Sequence, residues 1–132
     1  MQVTGPMEVQ THPDPDAASG YSRLILTKRY SGALEASAGG EMLTGGDPKT
    51  GAAGYVAIEL VTGTLDGAHG PQEGTFQLMQ FGTLIDGNPE LRCVVVPGSG
   101  TAALAGLAGT MQLARTPDGK HTYTLDYTLP AL

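Results

Sequence analysis

Tyr55 and Glu59 stand four residues apart in a run, Gly54-Tyr55-Val56-Ala57-Ile58-Glu59, that is otherwise apolar. In an extended strand that spacing puts both side chains on one face. Glu35 and Glu41 lie in an earlier strand-like segment, and Gln80, Arg92, His121, Tyr123 and Tyr127 are embedded in later ones. A carboxylate enclosed in a barrel loses solvation, which raises its pKa and suits it to proton transfer near neutrality. Tyrosine hydroxyls and a glutamine amide orient a carbonyl or stabilise a developing oxyanion. Glu59 and Glu35 are therefore the candidate catalytic groups, and Tyr55, Gln80, His121, Tyr123 and Tyr127 the candidate ligand-binding residues. A structural account competes with this one: glutamates on a wet outer wall and tyrosines packed in a core. Val56, Ile58 and Leu60 read equally well as luminal residues, which would turn Tyr55 and Glu59 outward.

Other motifs carry less. Val96-Pro97-Gly98-Ser99-Gly100-Thr101-Ala102-Ala103 imitates the glycine-rich dinucleotide fingerprint after a strand. That fingerprint needs a helix of several turns, and Leu104-Ala105-Gly106-Leu107-Ala108-Gly109 supplies one or two at most. The segment reads as a connection with a short helical turn near 102–107. Ser99 lacks the GxSxG context of a nucleophile elbow. Cys93 sits between valines, where a thiol acts as a small hydrophobe. His12, His69 and His121 show no metal-ligand spacing, and His12 with Asp14 and Asp16 reads as an exposed acidic loop. No cofactor and no metal are expected.

The elements that must position these residues are strands. Period-2 or two-sided apolar runs span roughly 2–12, 21–31, 33–45, 53–66, 73–86, 90–97, 106–115 and 119–129, with almost no helical periodicity. In the last run Tyr123, Leu125, Tyr127 and Leu129 alternate with Thr122, Thr124, Asp126 and Thr128. In the fifth, Phe76, Leu78 and Leu84 share a face with Gln80. Asp86-Gly87-Asn88-Pro89 and Pro117-Asp118-Gly119 read as hairpin turns. His12-Pro13-Asp14-Pro15-Asp16 and Gly45-Gly46-Asp47-Pro48 read as loops outside any sheet. Eight long strands with short connections predict a closed antiparallel barrel, a form that removes sticky edges; a two-sheet sandwich also fits the pattern. Strands apolar on both faces, such as 53–66 and 90–97, suggest cover by a helix, a loop or another subunit, and a homo-oligomer is expected.

The bulk numbers exclude several classes. The chain has 132 residues, 40% of them hydrophobic, with 20 Gly, 9 Pro and no Trp, which fits one glycine-punctuated β domain over 1–132. A net charge of −6 and seven scattered Lys and Arg give no nucleic-acid footprint. No apolar run approaches the roughly 20 residues of a membrane-spanning helix. The first residues, Met1-Gln2-Val3-Thr4-Gly5-Pro6, lack signal-peptide character, and a single cysteine fits a reducing compartment, so the cytoplasm is expected.

The blocks Gly32-Ala33-Leu34-Glu35, Gly40-Glu41-Met42, Gly54-Tyr55-Val56-Ala57-Ile58-Glu59 and Val61-Thr62-Gly63-Thr64-Leu65 follow in an order that resembles a small bacterial family of unassigned function. Gly98-Ser99-Gly100-Thr101 and Asp118-Gly119-Lys120-His121-Thr122-Tyr123 extend the resemblance to most of the chain, about 23–129. The resemblance implies an allene oxide cyclase-like barrel. Barrels of that kind bind an apolar substrate in the lumen and steer a ring closure without a cofactor. Two functions follow as expectations. One is a cofactor-independent isomerase or cyclase, or a binder, for a small, largely apolar molecule. The other is a noncatalytic oligomeric module whose lumen is filled by its own side chains.

Overall fold

In the computed structural model, which describes residues 1–14, 20–67 and 69–130, the alternation of the chain's last segment closes a ring. The strands are β1 (Gln2–Pro13), β2 (Ser22–Tyr30), β3 (Leu34–Asp47), β4 (Ala52–Gly67), β5 (Gly70–Ile85), β6 (Asn88–Val95), β7 (Ala108–Arg115) and β8 (His121–Thr128). Each pairs antiparallel with its neighbours in sequence, and β8 returns to β1, giving a closed eight-stranded barrel. Closure decides against the sandwich. Among the described residues no helix is long and apolar enough to cross a membrane.

The turns form for the reasons their residues suggest. Asp86 and Gly87 both adopt positive φ, the left-handed pair that matches the twist of a two-residue hairpin. Two expected loops are strand over part of their length, up to Pro13 and Asp47, while Asp14 lies beyond β1 and Pro48 begins a 3₁₀ turn. Pro13 pairs with Leu24, and Asp47 pairs with Ala52. The reason is that the ring is uneven at this end. β8 accompanies β1 only from Gln2 to Met7, so beyond Met7 one edge of β1 is open and a missing proline N–H is harmless there. Pro15 and Asp16 lie outside the described residues.

The barrel is filled at one end and hollow at the other. Phe76, Leu78, Val61, Leu65, Leu34 and Tyr127 are buried in one half of the lumen. A 3₁₀ turn, Ala102–Leu104, lies in the connection after β6 and inserts Leu104, fully buried, with Leu107 close behind. The glycine-rich segment thus ends in a plug. Tyr123 fastens the same half: its hydroxyl accepts from Leu34 N–H at 3.0 Å and donates to the Ser31 carbonyl at 2.8 Å. Gly5 faces that hydroxyl, and a Cβ there would fall 2.7 Å from it. Only a residue without a side chain lets β1 cross so close.

Inward and outward faces alternate along every strand, and β4 resolves its two-sided pattern against the expectation for Val56, Ile58 and Leu60. These three face outward, each about half exposed, while Ala57, Glu59, Val61 and Leu65 face the lumen. The register fixes this. Val61 lies opposite Ala38 on one side and Phe76 on the other, so β4 must share their inward face.

Candidate functional site

β2 runs Leu24, Leu26, Lys28, Tyr30 on its inward face, and Lys28 is the residue that breaks the apolar rule. Its ammonium is buried, with a side chain only 3% exposed, and lies 2.8 Å from Glu59 Oε2. Glu59 is buried just as deeply, so this is an ion pair within the barrel. Isolated charges do not survive in such a place, and each is present because the other is. Tyr30 donates its hydroxyl proton to Glu59 Oε1. Gln80 reaches Glu59 Oε2 with its amide at 3.5 Å, and Tyr55 donates to Gln80 Oε1 at 3.2 Å. The chain Tyr55–Gln80–Glu59–Lys28 therefore joins β5, β4 and β2 across the lumen.

Lys28 is the incompletely satisfied member. Its contact with Glu59 lies outside hydrogen-bond geometry, and the ammonium finds no other acceptor among the described residues. The ring of Tyr30 lies 5.9 Å from it, a weak cation–π neighbour. A buried ammonium has three protons to place. Lys28, Tyr55 and Gln80 border an inner chamber of about 250 Å³, otherwise walled mainly by Met7, Leu26, Leu91 and Leu113. Tyr55 and Leu91 also wall an apolar cavity of about 470 Å³ at the barrel mouth. The chamber alone is smaller than a typical ligand pocket of ~300–1,000 Å³, whereas the two neighbours together are of that size. Gly82 lets the Tyr55 ring lie across β5, since a Cβ there would come within 3.1 Å of its Cζ.

The barrel's shape makes the chamber accessible. The ladder between β6 and β7 is confined to Val94↔Thr110 among the described residues. The short β7–β8 hairpin begins β8 at His121, leaving the longer β1 and β2 to stand above it. His121 and Arg115 sit at this low rim and line the chamber.

Electrostatics keep the hydroxyls protonated. Burial, with the Glu59 charge next, pushes Tyr30 far above its ordinary value. Burial first, then Cys93 and Glu59, pushes Tyr55 up to about 12. Cys93 lies opposite Gln80 on the inward face of β6, and burial drives its thiol up to about 11, with Lys28 opposing and Glu59 adding to the rise. Raised folded pKa values mean the protonated thiol is the one the fold tolerates. Its stabilising contribution is full below pH 9 and drains away as pH climbs through about 11. Native protein at pH 8 should accordingly react with a thiol reagent at least about 100-fold more slowly than the urea-unfolded chain. Rapid native labelling would show the thiol to be exposed or ionised.

Each residue singled out in the sequence has a definite place. Tyr55, Gln80 and His121 border the chamber. Glu59 is luminal but sits behind Lys28 and Gln80, touching them rather than the open space. Tyr123 and Tyr127 are inward but belong to the filled half, away from the chamber. Glu35 is on the outer wall, where it accepts from Arg29 at 2.9 Å and from Gly32 N–H at 2.8 Å, so its luminal placement is corrected. Outward parity in β3 follows from Leu34, Ala36 and Ala38 facing in. Glu41 is outside too, paired with Arg23. Lys28 and Tyr30 went unnoticed as site residues. The signal was present: one lysine in the inward register of an alternating strand. Among the described residues no cluster of three or more His, Cys, Asp or Glu is placed to hold a metal ion.

Comparison with known proteins agrees with the fold. No curated protein matches the chain. A crystal structure of a protein of unknown function from the DUF3224 family of Shewanella oneidensis MR-1 is 38% identical. The similarity covers 100% of this chain and 98% of that one, with a TM-score of 0.88. A family model described as "Protein of unknown function (DUF3224)" matches residues 2–127, and with nearly its whole length accounted for in this way the chain belongs to the DUF3224 family.

Proposed function

We propose that the barrel binds one small, largely apolar molecule bearing an oxygen acceptor such as a carbonyl, and isomerises or cyclises it without a cofactor. The observation that carries this reading is buried Lys28, whose ammonium has protons left to donate, beside a chamber with mainly apolar walls and a few polar groups, Tyr55, Gln80, Arg115 and His121. A ligand oxygen supplies a further acceptor beside that of Glu59. Apolar walls hold the rest of the molecule. When a rearrangement places negative charge on that oxygen, the Lys28 ammonium, turning from Glu59 towards it, is already desolvated, so its stabilisation exceeds what water gives. Rearrangement keeps all atoms within one molecule and needs no co-reactant. Lys28 is then the catalytic residue, Tyr55 and Gln80 contact the ligand, and Glu59 is a positioning residue that balances and anchors the ammonium.

The test is a thermal-shift series with matched pairs, a medium-sized alicyclic or aromatic ketone against its hydrocarbon. Ligand held by the folded state alone stabilises it by about 2.7 kcal/mol at 100 times Kd. Ketones should raise Tm by several degrees and the hydrocarbons by less, and chromatography at unchanged mass should detect rearranged product. Lys28→Met/Glu59→Gln, which removes the buried charges together, should abolish the preference for ketones. A panel in which nothing shifts Tm would leave the noncatalytic module, an account already favoured by the filled half of the lumen.

A further inference from the structure

The outer wall carries a second feature, unrelated to the lumen. On β4 and β5 the outward residues Val56, Ile58, Leu60, Met79 and Phe81 are each 44 to 53% exposed. They are adjacent: Val56 pairs with Phe81 and Ile58 with Met79. Leu43 of β3, paired with Val56, continues the patch, and Val94 of β6 faces Met79. Their apolar surface is on the order of 600 Å², the upper end of what a monomer leaves in water and near the ~800 Å² that each partner of a stable complex buries.

Relief and charge select the occupant. The Val56–Phe81 pair forms a ridge between two shallow apolar grooves. One runs by Leu43, Gly45, Gly54 and Thr83, the other by Met79, Arg92 and Val94. A two-fold axis parallel to the strands lays Val56 of one copy over Phe81 of the other, so the two apolar ridges meet and cover the grooves beside them. The flanks agree. Glu41 on the β3 side and Arg92 on the β6 side are opposite charges beside the same patch. Glu41 also meets Arg23, while Arg92 has no ion pair among the described residues. A dyad parallel to β4 and β5 lays the β3 flank of one copy over the β6 flank of the other, bringing Glu41 towards Arg92 twice.

We infer that the β4–β5 face is an isologous interface and that the protein is a dimer of two barrels packed wall to wall, with both mouths free. Sedimentation equilibrium of the full chain from 1 to 100 µM tests this. Wild type should sediment as a dimer. Phe81→Glu and, separately, Met79→Lys, both at exposed positions, should sediment as monomers with unchanged β circular dichroism. Glu41→Arg and Arg92→Glu should each weaken the dimer at least 10-fold at low salt, and the two combined in one chain should restore it. A wild-type monomer at 100 µM, or a dimer that survives both apolar-to-charged variants, overturns the interface. A combined charge swap no tighter than its single parents overturns the dyad.

Discussion

Glu59→Gln should destabilise the protein by about 3–5 kcal/mol, the usual cost of removing one member of a buried ion pair. In a domain of this size that lowers Tm by about 10–20 °C. The side chain keeps its volume, so packing is not the cause. The change removes the counter-charge beside a lysine whose side chain is 3% exposed and gives Tyr30 a neutral amide in place of a carboxylate. Lys28→Met should cost a comparable amount, for the converse reason. The informative result is the double variant, since neutralising both groups removes the uncompensated charge and should recover more than half of either loss. Urea unfolding of the four proteins supplies the cycle. Single variants within about 1 kcal/mol of wild type would mean that the two groups are not held as a buried pair, and the ammonium would lose its proposed role.

Leu104→Ala should cost about 2–5 kcal/mol, the range for a leucine truncated in a close-packed core. Leu104 is fully buried and belongs to the main hydrophobic core, so its truncation leaves a cavity there. Leu91→Ala makes the contrast. Leu91 is 43% exposed and borders both cavities, so its truncation enlarges a space that is already open and should cost about 1 kcal/mol or less. Equal losses from the two would contradict the division of the lumen into a filled and a hollow half. That difference also separates folding from binding: ligand-induced shifts should weaken in Leu91→Ala and persist in Leu104→Ala.

Much of the architecture was legible because local pattern and global fold agree. β8 gave its inward face away, since Tyr123, Leu125 and Tyr127 alternate with threonine and aspartate. β5 did the same, including the inward Gln80. β4 did not, and the reason is physical. Its outer residues Val56, Ile58 and Leu60 are as apolar as its inner ones, so hydrophobic parity has no preferred phase. What fixes the phase is register against β3 and β5, which is a tertiary fact. Glu59 was hard for a related reason: its partner Lys28 lies on a strand that is not its neighbour, and no local spacing joins them. Glu35 was misleading in the other direction, because a glutamate flanked by apolar residues is what an ordinary outward position in β3 looks like. Whether the lumen would be hollow was beyond any pattern, since volume is left over only after every inward side chain has been placed.

The ring has one joint unlike the rest. Seven of its pairings link strands that follow each other along the chain, but β1 and β8 come from opposite ends of it, with Met1 and Tyr127 exchanging backbone hydrogen bonds. Until that joint zips, an otherwise complete sheet has two bare borders. Closing it brings together segments more than a hundred residues apart, the slowest sort of encounter a folding chain makes. The same borders invite chains to join one another while they wait, so association threatens this molecule most before the ring has closed.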